Sequence, residues 1–351
     1  MSEIQMLLEG RATRERRKDK LMWNSRLLHR ITALLSALLL ALLATAAVAR
    51  ADLPNGATLV ATIPVSTPRD VTAGFASIWV SNGPSRTVTR INPSTDAISA
   101  VITVPDPASM LAVGAGSVWL TSFPGNSLTR IDPTTNTVMG TISLAPGGLH
   151  PIGVTVFDGF VWVANHDGNP TGSVAKIDPT TMQVVDLIPV GTQSIAGPTT
   201  IVSGAGSLWV NVPNIPVVVR INPITDTTIA TIPVKGACAS MAADAHAVWV
   251  ADLGGAGCPS GFPGISRIDP ATNTVTAMLN AGGSTGALAL DGETLWYGTT
   301  KSNFLGRIDT ATNTIVGLLK LPGPAFATSA ANGFVWITDP QDGLLFQVQP
   351  D

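Results

Sequence analysis

From residue 57 onward the apolar positions come in short runs bounded by turn residues, with no helical period over any long window. In Ser117-Val118-Trp119-Leu120-Thr121, valine and leucine fall on one side and tryptophan on the other, so both faces of a strand are apolar. Strands covered on both sides read this way. A polar turn follows, then a strand ending in Arg130-Ile131-Asp132-Pro133, a Thr/Asn turn and a third strand to Leu144. The unit recurs. Its tryptophans are Trp79, Trp119, Trp162, Trp209, Trp249, Trp296 and Trp336, spaced by 40, 43, 47, 40, 47 and 40 residues. Each is followed by a second landmark, Arg90-Ile91-Asn92-Pro93 in the first unit and the degenerate Gln347-Val348-Gln349-Pro350 in the last. A period of this size with four short strands per unit predicts an all-β, seven-bladed β-propeller over residues 52–351.

The ends predict how the ring shuts. Residues 57–65, ATLVATIPV, match the fourth strand at 226–234, DTTIATIPV, yet no tryptophan strand precedes them. The seventh unit stops where its own fourth strand should begin. The N-terminal strand is therefore expected to complete the C-terminal blade, which removes an open sheet edge. Within each unit, Asp132-Pro133-Thr134-Thr135-Asn136 and its copies are turn chemistry, since Asp bonds nearby backbone, Pro presets φ and Asn tolerates positive φ. The repeated Arg, Asp and Trp are read as framework.

The stretches 162–181, WVANHDGNPTGSVAKIDPTT, and 220–234, RINPITDTTIATIPV, resemble the repeat of the YVTN-type seven-bladed bacterial propellers. Propellers of the virginiamycin B lyase type are similar in architecture and more distant in motif. The resemblance spans about residues 55–351 and implies the fold; a propeller is a scaffold for unrelated sites.

Composition adds the compartment. Only 12% of the residues are charged, and nine of the 20 Lys/Arg lie in residues 1–51. Residues 52–351 carry 11 bases against 19 acids, which makes nucleic acid an unexpected partner. The basic residues of 11–30 precede the apolar run Ile31 to Ala49, which ends in Ala47-Val48-Ala49 and Ala49-Arg50-Ala51. This is the pattern of a secretory signal peptide over residues 1–51, with cleavage after Ala49 or Ala51. An uncleaved anchor is the alternative and would be the chain's one membrane attachment. A secreted or periplasmic monomer is expected.

Departures from the repeat point to a surface. The tryptophan-to-basic spacing is 11 residues in five units, 14 in the third and 18 in the fifth. Two more insertions lie around residues 146–151 and 191–198. All four fall in second-to-third strand loops or blade-to-blade loops, which emerge on one face of a propeller, so the loop face of blades three to five is the expected binding surface. Its candidate ligand-binding residues are Arg69, Asp70, His150, Asn165, His166, Asp167, Gln193 and Asp252. The positions nine before each tryptophan are small in five blades, from Gly153 to Ala327, with Asp70 and Met110 as exceptions; this is compatible with an open channel. Cys238 and Cys258 both fall on the same face in blade five, and in an exported chain they are expected to form a disulfide.

Two functions follow. The first is a non-catalytic module that binds a protein, a glycan or a small ligand and needs no cofactor. The alternative is a carbon–oxygen lyase of the virginiamycin B lyase type or another hydrolytic propeller enzyme. That resemblance implies His and Glu residues with a magnesium ion; magnesium or calcium enters only here, with His150, His166 and Asp167 as candidate catalytic groups. The chain departs from the pattern: beyond the signal its single glutamate, Glu293, sits in the turn before Trp296, on the opposite face.

Overall fold

The computed structural model describes residues 56–145, 147, 149–167, 172–190, 197–213, 215–236, 239–253 and 264–351. All belong to one compact unit, Pro54–Asp351. The signal sequence expected over 1–51, Gln193, both cysteines with their expected disulfide, and most of the inserted residues lie outside the described residues.

The described residues form seven four-stranded antiparallel sheets and contain no helix. Blade one is typical: Pro68–Gly74, Ser77–Asn82, Thr87–Ile91 and Ile98–Thr103, ordered from the centre of the ring outward. First strands touch first strands in cyclic order, and blade seven returns to blade one. Blade seven takes its first three strands from Ala327–Ala331, Phe334–Asp339 and Leu344–Pro350, and its fourth from Ala57–Pro64. Ala57 pairs with Pro350 and Pro64 with Leu344, so the expected closure is the one observed.

The second strand is the core of every blade. All six residues of Ser77–Asn82, Ser117–Ser122 and Ser207–Val212 are buried. The seven tryptophans are at most 1% exposed. The core is layered between blades: Trp79, Val88 and Ile102 of blade one pack on Leu111, Val118 and Leu120 of blade two, and Trp336 and Leu345 of blade seven pack on Val71 and Val80 of blade one.

Six of the seven tryptophans also carry a cation. The Arg or Lys paired across from each lies 4.8–5.9 Å from its ring centroid. Such contacts are worth about 0.5–2 kcal/mol each. The same side chains staple neighbouring blades. Arg90 donates to Pro133 O and Asn136 Oδ1, Arg130 to Pro179 O, Arg220 to Pro270 O and Asn273 Oδ1, and Arg307 to Gly56 O. Lys176 forms an ion pair with Asp226 at 2.9 Å. The framework reading of Arg, Asp and Trp thus has a physical form, a girdle around one face. Two seams depart from it: in blade seven the uncharged Gln347 donates to Pro93 O, and in blade five Arg267 bonds Thr276 and the His246 carbonyl, leaving its buried Nε and the buried Asn313 Oδ1 of blade six without partners.

Candidate functional site at the channel mouth

The loop face opens into a cavity of about 760 Å3 on the ring axis. This lies within the usual range for small-molecule sites. Its wall follows the repeat register. The residue ten before each tryptophan contributes in every blade: Arg69, Ser109, Ile152, Thr199, Ala239, Gly286 and Phe326. The residue nine before contributes in every blade except the third, where it is Gly153. The residue four after contributes as Phe123, Pro213, Leu253 and Thr300.

Adjacent strand residues ordinarily point to opposite faces. They share this wall because the first strand is irregular at its start. In blade one the pairing shifts between Pro68 and Asp70, so Arg69 is the extra residue of a bulge. Similar shifts free Ile152 in blade three and Gly286 in blade six. A bulge re-aims a side chain without breaking the rest of the strand.

The wall is mostly apolar, through Met110, Ile152, Leu253 and the half-exposed Phe123 and Phe326. Its two ionisable residues are Arg69 and Asp70. Asp70 is committed to the fold: its Oδ2 accepts the Leu111 N–H of blade two at 2.8 Å, and its own N–H donates to Ser81 Oγ. Burial pushes its carboxyl up to about 6, against the lowering pull of the Leu111 and Val71 N–H groups and of the Arg69 charge. Arg69 is exposed and has no hydrogen bond or ion pair among the described residues.

At the rim of blade three a second group assembles. Leu149 pairs with Asp167 and Pro151 with Asn165, which sets His150 across from His166. His150 adopts a φ of 54°, and its N–H is held by Asn126 Oδ1. Asp167 takes His150 Nδ1 on one oxygen at 2.5 Å and His166 Nδ1 on the other at 3.0 Å. Partial burial raises its carboxyl, but the bonds from His150 and His166 outweigh that and hold it below the ordinary range. An ionised carboxylate only accepts, so each Nδ1 that bonds it carries a hydrogen and each Nε2 points away from it. Phe123 of the cavity wall stacks on His150 at 4.5 Å between centroids.

The remaining candidates sit elsewhere. Asn165 is fully buried and its amide donates to Ser173 Oγ across the loop. Asp252 is 2% exposed at the end of its strand. Its counterpart in blade seven, Asp339, accepts the N–H groups of Gln341 and Asp342 in its own turn. Asn165 and Asp339, three after their tryptophans, thus brace their loops. The signal that reasoning from sequence passed over is the ring ten residues before each tryptophan, with Phe326 and Ile152, and the aromatic Phe123 at plus four. Comparing blades column by column exposes it.

As a metal centre the rim group fits poorly. Magnesium and calcium take oxygen donors, whereas here the one carboxylate is spent on two imidazoles. Among the described residues no group of three or more His, Cys, Asp or Glu is arranged to hold an ion.

No protein-family model and no curated protein sequence matches the chain. Solved structures do. Virginiamycin B lyase from Staphylococcus aureus superposes with a TM-score of 0.69 at 16% identity, covering 82% of this chain and 98% of the lyase. A streptogramin B lyase gives 0.70 at 17%, covering 84% and 97%. Hydrazine synthase from Kuenenia stuttgartiensis gives 0.69 at 13%, covering 82% and 96%. At such identities the likeness is one of fold: the chain is a seven-bladed β-propeller that shares its architecture with enzymes of unrelated chemistry.

Proposed function

We propose that the protein is a binding propeller that holds a small, largely apolar ligand in the mouth of its central channel. The observation that carries this is the cavity itself, walled at fixed repeat positions by all seven blades and lined by the exposed Phe123 and Phe326 and by half-buried aliphatic side chains. Exposed apolar surface collected in a concave site of this volume is the ordinary signature of ligand binding. Its acid, Asp70, is tied to the backbone of blade two. The test is saturable binding of an environment-sensitive fluorescent probe to the purified protein. Ala327→Trp, which fills the wall, is expected to abolish binding with little change in melting temperature; undiminished binding in that variant would reject the mouth as the site.

A second reading is favoured by the rim group. Two imidazoles oriented by one carboxylate present basic Nε2 atoms beside the cavity, an arrangement suited to removing a proton from a bound substrate. Two structural neighbours are named as lyases. An elimination run by His150 or His166 without a metal would show as a bell-shaped pH–rate profile lost in Asp167→Asn.

Kinship to the YVTN-type propellers, an exported monomeric state and a Cys238–Cys258 bridge belong to the same proposal. They are supported by the repeat motifs and by the basic and apolar N-terminal run. N-terminal sequencing of exported protein is expected to begin at Arg50 or Asp52, and thiol alkylation without reductant is expected to leave both cysteines unlabelled.

A further inference from the structure

We infer that the mouth selects a small organic anion, with Arg69 gripping its carboxylate-type head and the apolar wall of blades seven, two and three taking its body. The inference rests on the reading of the mouth as a ligand site and adds the class of ligand.

The repeated architecture of the girdle makes Arg69 an exception in this chain. The arginines at 90, 130, 220 and 307 are each bonded to the neighbouring blade, as is Lys176. Arg69 instead stands on a bulge at the mouth, exposed, with its Cδ 3.7 Å from where a Cβ on Gly83 would lie. Its donors are unspent among the described residues. A guanidinium offers five N–H donors in a planar fork that matches a carboxylate or a phosphate ester. The adjacent acid does not occupy it, because the Asp70 carboxylate is turned to the Leu111 N–H.

The apolar groups flank this fork. Phe326 stands on blade seven, one blade to one side, and Met110 and Phe123 stand on blade two, one blade to the other. A molecule with an aromatic or aliphatic body and an anionic end therefore fits with its end at blade one. A cationic ligand would meet Arg69 with a like charge and would have to compete with the backbone for Asp70.

Protonation of Asp70 then sets the pH dependence. An ionised Asp70 repels the head; a protonated one removes the repulsion and offers an O–H donor. Affinity rises as the solution is acidified through about pH 6. The groups around Asp70 are few. Arg69 is its neighbour on its own strand; the second strand of blade one brings Ser81, blade two brings Ser109 to Leu111, and blade seven brings Ala327 and Thr328. Asp339, on the second strand of blade seven, turns its carboxylate into its own loop. His150 and His166 lie at the rim behind Phe123.

The experiment is calorimetric titration of the full-length, naturally processed protein with 4-phenylbutyrate, its amide, 4-phenylbutylamine and phenyl phosphate at pH 7.5 and 5.5. The carboxylate is expected to bind at least tenfold more tightly than the amide, and the amine most weakly. Arg69→Gln should erase the difference between carboxylate and amide, and Arg69→Lys should restore part of it. Asp70→Asn should remove most of the gain at pH 5.5, a result that rim histidines alone would not produce. Tighter binding of phenyl phosphate supports the anion site and assigns its head to a phosphate ester. If the amide or amine binds as well as the carboxylate, and Ala327→Trp blocks it, the anion inference falls while the ligand site stands. If no compound binds, or binding survives Ala327→Trp, both fall.

Discussion

On one face of the ring the blades repeat one device: in six a tryptophan lies under a cation, and in five of these the cation bonds the neighbouring blade. On the other face the positions that ring the channel read Arg, Ser, Ile, Thr, Ala, Gly and Phe, with no two blades alike. The girdle uses the second and third strands of each blade, and the channel ring lies at the start of the first, ten residues before the tryptophan. A side chain that holds two blades together has its partners fixed by the ring geometry, so it repeats. A side chain that faces the channel has only solvent or ligand opposite it and is free to differ. The difference between the faces separates what builds the ring from what distinguishes this ring.

The comparison is broken most severely at the framework. Trp209→Ala removes a fully buried side chain from the layer between blades four and five and is expected to cost about 3–5 kcal/mol by denaturant titration. Phe326→Ala at the mouth, where the ring is 41% exposed, should cost far less. Equal losses would mean that the mouth is also framework.

Asp70 belongs to both sets, and its pH dependence shows it. In the unfolded chain the carboxyl titrates at about pH 4; in the fold it titrates at about 6. Between these values the folded state binds more protons, so stability falls as pH rises through the window and stays at its lower level above it. Asp70→Asn keeps an acceptor for Leu111 and loses the charge. It should stabilise the protein at pH 8 by roughly 2 kcal/mol, after a discount for the open edge of the carboxyl, and by nothing at pH 3.

A smaller effect tests the girdle itself. Arg220→Ala cuts two bonds to blade five and should cost about 2 kcal/mol, whereas Arg267→Ala, at the seam where the device fails, should cost less than about 1. The smallest expected change is a gain. Met182 holds a φ of 57° at the place where blades two, five and six have Asn136, Asn273 and Asn313. Met182→Asn should add about 0.5–1 kcal/mol, read as a shift in denaturation midpoint.

Much of the framework was legible because repetition reports it. The tryptophan spacing, the Arg-Ile-Asp landmark and the unmatched strand at 57–65 led to seven blades and to their closure. The landmark also marks a bulge, since the third-to-fourth strand pairing shifts between the basic residue and the isoleucine in six blades. That bulge was invisible, because an extra residue present in every copy alters no spacing. The site was legible in pieces. Arg69 and Asp70 line the cavity and His150, His166 and Asp167 gather at its rim, but the bond between His150 and Asp167 depends on a register that pairs Leu149 with Asp167. Insertions drew attention to blades three to five, while the cavity draws on every blade, because an axial site is formed by positions and not by loop lengths.

The closing strand has a consequence for how the protein is made. Blade seven is completed by pairing Ala57 with Pro350, so the strand Ala57–Pro64 waits for Leu344–Pro350, nearly three hundred residues later in the chain. Until residue 350 has emerged, blade seven has an unfilled edge and the layer between blades seven and one is exposed to water. Up to six blades can stack as they appear, but the ring becomes a ring in a single late step, when Leu344–Pro350 meets Ala57–Pro64.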